Sequence, residues 1–209
     1  MNKKLEKFYS SYWFFLEVIV QSITILIAIL LYTIGGNEFS ILTHYISDLG
    51  KRSAPNYAFI PFYIGIVIRL IIRFFMALSL VIFLSMKDFK NKVILISIFT
   101  INIIILIGSL FMVLFPADIM KQAHNFGAIL IFLFSFILCI LFSIIVLITP
   151  SIKNYNALFG IILIIMMTIY FILPTYLSIN TLFEWLLMFL GWIFYINIGI
   201  LVLKSKKAT

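Results

Sequence analysis

Three acids and two histidines are the residues of this chain best suited to chemistry: Asp48, Asp118 and Glu184, with His44 and His124 beside them. Carboxylates and imidazoles work as general acids and bases or as ligands of a divalent metal. The pattern is loose. There is no HExxH, no histidine pair at helical spacing and no CxxC, so His44, His124 and Asp48 are only weak metal candidates and no cofactor is called for. Ser47 beside Asp48 is not a serine-hydrolase signature without a placed histidine, and no nucleophile elbow, phosphate-cradling loop or dinucleotide fingerprint occurs. The plain alternatives are structural. Ser47 and Asp48 suit a turn closed by accepted backbone N–H bonds, and His124 could simply hydrogen-bond a loop carbonyl.

Two arginines add a second kind of chemistry. Arg69 and Arg73 are four apart and so share one helix face. Counted from a span start at Ile64, they lie about 8 and 14 Å deep at 1.5 Å per residue. A charge in hydrocarbon costs about 2.5–3.5 kcal/mol on insertion scales, so such residues turn inward or pair. The expected partners are Asp48, Asp118 or Glu184 above them. The functional alternative is the phosphate of a lipid head group, which a forked guanidinium fits. Glu17, one turn inside the first span, is expected to reach the interface or pair with an inner lysine. A proton-relay role is the functional alternative for it.

What positions these residues is lipid. The chain has 209 residues, of which 65% are hydrophobic and 11% charged, more apolar than a soluble core of this size needs. Six runs approach bilayer length: Trp13–Ile34, Ile64–Met86, Val93–Phe115, Phe126–Thr149, Ala157–Leu177 and Leu186–Leu203. The reading is an all-α polytopic membrane protein, one six-helix domain over residues 1–209. The first run is too long for a signal peptide and lacks a small-x-small cleavage pattern, so it reads as a retained span. Pro174 is expected to kink or end the fifth run.

The net charge of +8 does not mark a nucleic-acid binder, because its lysines flank apolar spans. Lys3, Lys4, Lys7, Lys87, Lys90, Lys92, Lys153, Lys204, Lys206 and Lys207 fall on one side, and only Lys51, Arg52 and Lys121 on the other. The positive-inside rule makes the first side, with both termini, cytoplasmic. The acids and histidines therefore gather outside. The long outer loop, Gly35–Tyr63, is too apolar at its middle to be freely solvated and is expected to lie back on the bundle. Tyr45, Tyr57, Phe59 and Phe62 suit an interfacial aromatic belt. The one cysteine, Cys139, permits no internal disulfide. Ser135, Cys139 and Ser143 recur every fourth residue, a small-residue face for close helix packing or for a homo-oligomer or membrane partner.

Three short motifs in order carry a family resemblance: Tyr45-Ile46-Ser47-Asp48-Leu49-Gly50 followed by Pro55, then His124-Asn125-Phe126-Gly127-Ala128, then Glu184-Trp185 before the last span. The chain resembles the damage-regulated autophagy modulator family, which is similar to membrane proteins that remodel GPI-anchor lipids and to a prokaryotic six-span family of unknown function. Leu49-Gly50 and the loop after Phe115-Pro116-Ala117-Asp118 look closer to the prokaryotic branch. The resemblance implies a six-helix bundle linked to lipids, with Ser47, Asp48, His124, Gly127, Glu184 and Trp185 as positions of interest.

The functional expectation is a membrane protein that binds or organises lipid through an outer polar pocket of Arg69, Arg73, Ser47, Asp118, Glu184 and Trp185. Its partners would be membrane lipids, in the plasma membrane of a prokaryote. One alternative is a lipid-modifying hydrolase or acyltransferase in which Asp48 and His124 are catalytic. That requires the two to approach within about 3–5 Å or to face one cavity. The other is a small-solute transporter, for which broken helices and repeat symmetry are not evident.

Overall fold

The computed structural model describes residues 10–34, 36–87, 89, 91–172 and 179–206. Among these there are six α-helices and no strand: α1 Tyr12–Thr33, α2 Phe59–Met86, α3 Lys92–Leu114, α4 Lys121–Ile148, α5 Ala157–Ile172 and α6 Ile179–Lys206. All six are long and apolar enough to cross a membrane. The protein is an all-α six-span membrane protein. Helices are the form such sequences must take, since lipid offers the backbone no hydrogen-bond partner and each span must satisfy its own N–H and C=O groups. Local signals set several ends. The Asn91 side chain accepts bonds from the Val93 and Ile94 N–H groups at 3.1 and 3.3 Å, starting α3. Pro116 follows its end. The bend expected at Pro174 lies outside the described residues.

Each helix packs on its neighbours in the chain, and α6 packs back on α1, so the six close into a ring. The inner, lysine-rich half of the ring is filled. Phe14, Phe83, Phe142, Phe194, Ile198 and Val202 are buried there in one apolar cluster. Contacts between backbones are close where small residues meet. A Cβ on Gly108 would lie 2.8 Å from the Gly127 carbonyl oxygen, and one on Gly127 would lie 2.7 Å from that of Gly108, so these two glycines let α3 and α4 touch. The Cys139 and Ser143 side chains are 3% and 4% exposed. Ser143 faces α5 at Gly160, where a Cβ would meet its Oγ at 2.2 Å and the Cys139 carbonyl oxygen at 3.3 Å. Cys139 and Ser143 are thus buried within the chain, whereas Ser135 is only half-buried.

The structure differs from the sequence expectation mainly at the outer helix ends. α2 begins at Phe59, α4 at Lys121 and α6 at Ile179, each several residues before the apolar run. The first turn of a span lies in the head-group region, where its unpaired N–H groups reach water and polar side chains are tolerated. Hydropathy therefore stops short of the helix. As a result His124 lies on α4, and Glu184 and Trp185 lie on α6, where loops are expected. The long outer loop does fold back. It carries the 3-10 turns Ile46–Gly50 and Pro55–Tyr57, and Leu49 is completely buried with Ile25, Ala28, Ile66 and Trp185. Phe62 belongs to this buried group rather than to the interfacial belt, whereas Tyr57 is exposed.

Candidate functional site

The outer half of the ring is hollow. A cavity of about 180 Å³ lies between all six helices, with Ile46 of the folded-back loop over it. Its walls are mostly apolar, from Ile25, Ile66, Leu70, Leu138, Leu163 and Met167 among others. The polar groups facing it include Gln21, Ser109, Ser135 and Tyr195, and its ionisable ones include Arg69, Arg73 and Glu184. Apolar walls with a few convergent polar groups are the usual make-up of a small-molecule site.

Glu17 anchors the charged end. It is completely buried and lies behind the arginines rather than on the cavity wall. Its Oε1 accepts from Arg69 Nε at 2.9 Å and Nη2 at 2.8 Å, and from Arg73 Nε at 2.7 Å. Its Oε2 is buried without a hydrogen-bond partner. The arginine partner is thus Glu17, which corrects both expectations. The arginines do not pair with Asp48, Asp118 or Glu184, and Glu17 does not reach an inner lysine. One carboxylate offsets one of two guanidiniums, so the cluster keeps a positive charge. The arginine side chains retain 16% and 10% of their surface, and both residues line the cavity. The Arg73 guanidinium also lies 5.7 Å from the Tyr195 ring centre, a distance suited to a cation–π contact. The Trp192 indole N–H donates to Gln21 Oε1 at 2.9 Å and fixes α6 to α1 beside the cluster.

Glu184 faces the outer end of the cavity, against the backbone N–H groups of Ile46 and Ser47. Its neighbours on α6 tie the loop down. Thr181 Oγ1 donates to the Leu42 carbonyl at 2.6 Å, and the Trp185 indole donates to the His44 carbonyl at 2.9 Å. Tyr45 sits beside these acids. Burial, then the charges of Glu184 and Asp48, push its hydroxyl above the ordinary tyrosine value.

The remaining sequence candidates hold the loop together instead of facing the cavity. Asp48 accepts the Tyr45 N–H at 2.7 Å and pairs with Lys51 at 2.7 Å, the turn-closing role. His44 contacts Thr43 Oγ1 at 2.9 Å and stacks on Phe39 at 5.0 Å. His124 donates from Nδ1 to the Phe115 carbonyl at 3.1 Å, the loop-carbonyl bond its position suggests. Asp48 and His124 are not hydrogen-bonded to each other, and neither lines the cavity. Among the described residues no three His, Cys, Asp or Glu side chains gather as a metal site would need. Ser47, Asp118 and Trp185 likewise stand off the cavity wall.

Asp118 bridges two outer loops, accepting the Arg52 and Ser53 N–H groups at 3.1 and 2.8 Å. Slight burial pushes its carboxyl up, but the bonds from Ser53 and Arg52 outweigh it and hold the group below the usual aspartate value. A depressed acid stabilises the fold when ionised, so its contribution is present above the unfolded value, about 3.9, and is lost as pH falls through the folded one. Asp118→Asn is therefore expected to lower the melting midpoint at pH 7 by a degree or two, with the gap from the parent closing toward pH 3. Thermal scans at both pH values check it; a gap equal at both would remove the assignment.

The polar stripe on α1 is what sequence reasoning missed. Glu17, Gln21 and Thr24 lie at i, i+4 and i+7 and so share one face. That face meets the arginines of α2. No protein-family model, no curated protein and no solved structure matches the chain.

Proposed function

We propose that the protein binds an amphiphile with an anionic head, a phosphate-bearing membrane lipid, with the head group held by Arg69 and Arg73 in the cavity. The observation that carries this reading is that both arginines line the cavity while their carboxylate partner is fully buried and does not. Glu17 then orients the two forks and leaves them net positive, an arrangement suited to phosphate oxygens. The apolar walls take the adjoining methylenes. At about 180 Å³ the space holds several waters' worth of ligand, at about 30 Å³ each, which is a head group rather than a whole lipid. The resemblance to lipid-remodelling membrane proteins points to the same ligand class. The role suits a plasma membrane, and the spare extramembrane mass suits a prokaryotic one.

Native mass spectrometry of the purified chain tests the reading. The parent is expected to retain an anionic phospholipid. The Arg69→Lys/Arg73→Lys variant keeps the charge but loses both forks, and its affinity is expected to fall at least tenfold, about 1.4 kcal/mol. Equal retention by a folded double-lysine variant would overturn it. Uptake of a free anion into vesicles, with no lipid bound, would favour transport instead.

A further inference from the structure

We propose a second binding site, independent of the cavity, at the lysine-rich end of the bundle: a pocket for the phosphate-bearing head group of an anionic lipid in the inner leaflet. Lys87, Lys153 and Lys204 line one pocket of about 210 Å³ together with Ser151, Tyr155 and Asn156. They come from three separate places in the fold. Lys87 directly follows α2, Lys153 lies in the connection between α4 and α5, and Lys204 lies in the last turn of α6.

The positive-inside rule asks only that lysines lie on this side, and solvated lysines scattered around the rim would satisfy it. Here they converge on one concavity, and its frame is built. The Ser151 hydroxyl donates to the Lys87 carbonyl at 3.3 Å, tying the end of α2 to the connection. Asn156, itself buried, donates from Nδ2 to the Lys153 carbonyl at 2.8 Å and accepts from Asn197 Nδ2 of α6 at 3.4 Å. The wall behind is apolar, with Ile152 buried and Phe83 and Leu201 beside it.

Among the described residues no acid answers the charge. The ion pairs among the described residues use Lys51, Arg69 and Arg73 and none of these three lysines. The Lys153 ammonium instead lies 6.0 Å from the Tyr155 ring centre. Three lysines with no acidic partner among the described residues, around a space at the head-group level, form an anion site, and the charge available at that level is lipid phosphate. Basic pockets between spans on the cytoplasmic side are a recurrent form of lipid recognition.

The test is native mass spectrometry of the full chain titrated with phosphatidylglycerol, phosphatidylcholine or inorganic phosphate. The variants are Lys87→Gln/Lys153→Gln/Lys204→Gln and the charge-keeping Lys87→Arg/Lys153→Arg/Lys204→Arg. Each lysine near an anionic surface contributes roughly fivefold. The glutamine variant is thus expected to bind a second phosphatidylglycerol, beyond the one held by Arg69 and Arg73, at least tenfold more weakly, with the arginine variant close to the parent and phosphatidylcholine indifferent to all of them. The adduct that depends on Arg69 and Arg73 is expected to survive in the glutamine variant, so failure of either site is seen separately. Undiminished binding of that second phosphatidylglycerol in the glutamine variant would overturn the site. Displacement of the lipid by inorganic phosphate at about its own concentration would overturn the lipid as its ligand.

Discussion

Glu17→Ala is expected to destabilise the protein by about 3–5 kcal/mol, the usual cost of removing one partner from a buried ion cluster. The cost follows from what is left behind. Arg69 and Arg73 lie on one face of α2, and a single oxygen, Glu17 Oε1, answers both of them at 2.7 to 2.9 Å. Without it, two guanidiniums face each other in a space walled by hydrocarbon. The arginines are ionised under all ordinary conditions, so they cannot escape by losing a proton. Replacing the whole cluster is expected to behave differently: Glu17→Leu/Arg69→Met/Arg73→Met removes the charges together and is expected to recover most of the lost stability while abolishing lipid retention. Unfolding midpoints in detergent, read by circular dichroism, check both. A midpoint for Glu17→Ala within one degree of the parent would sink the cluster as a stabilising unit. A triple variant that still retained lipid would sink its role in binding.

The membrane architecture was legible because its signal is coarse. A bilayer-length apolar run has one stable form in lipid, and lysine placement orients it. The charged cluster was not legible, for a geometric reason. The apolar run starts at Ile64, whereas α2 starts at Phe59. Five residues at 1.5 Å each move Arg73 about 7.5 Å deeper, out of reach of the outer acids. From the outer end of α1, Glu17 lies sixteen residues in, about 24 Å deep. From Phe59, Arg73 is about 21 Å deep, so the two meet. The i, i+4, i+7 stripe of Glu17, Gln21 and Thr24 carried that information, read as a face rather than as an isolated acid. Asp48 and His124 show the opposite case. Their short motifs invite chemistry, yet the bonds to Tyr45 and Lys51 and to the Phe115 carbonyl are local ones that residues of those types commonly make in turns and at helix ends. A cavity depends on what six faces leave unfilled, and no single stretch of sequence encodes it.

Gly127→Leu is expected to be the next most damaging change, and even Gly127→Ala should cost on the order of 1–3 kcal/mol as overpacking. The added Cβ would sit 2.7 Å from the Gly108 carbonyl oxygen and 2.8 Å from Phe111 Cβ. The first of these is backbone, so no rotamer change relieves it and α3 must move off α4. Without water to drive them together, the two helices depend on such close approach. The shift would also strain the His124 bond to the Phe115 carbonyl, which lies one turn away on the same pair of helices. Gly108→Ala meets the same obstacle from the other side, at 2.8 Å from the Gly127 carbonyl oxygen. Once one alanine has parted the helices the second finds room, so the double variant is expected to cost less than the two singles added. Gly191→Ala is the internal control. It sits within α6 with nothing within 4 Å of its added Cβ, and removing a helix-interior glycine there is expected to be neutral or stabilising by up to about 1 kcal/mol. The comparison is read from unfolding midpoints in one detergent. Equal midpoints for Gly127→Ala and Gly191→Ala would show that the α3–α4 contact is looser than the paired glycines require.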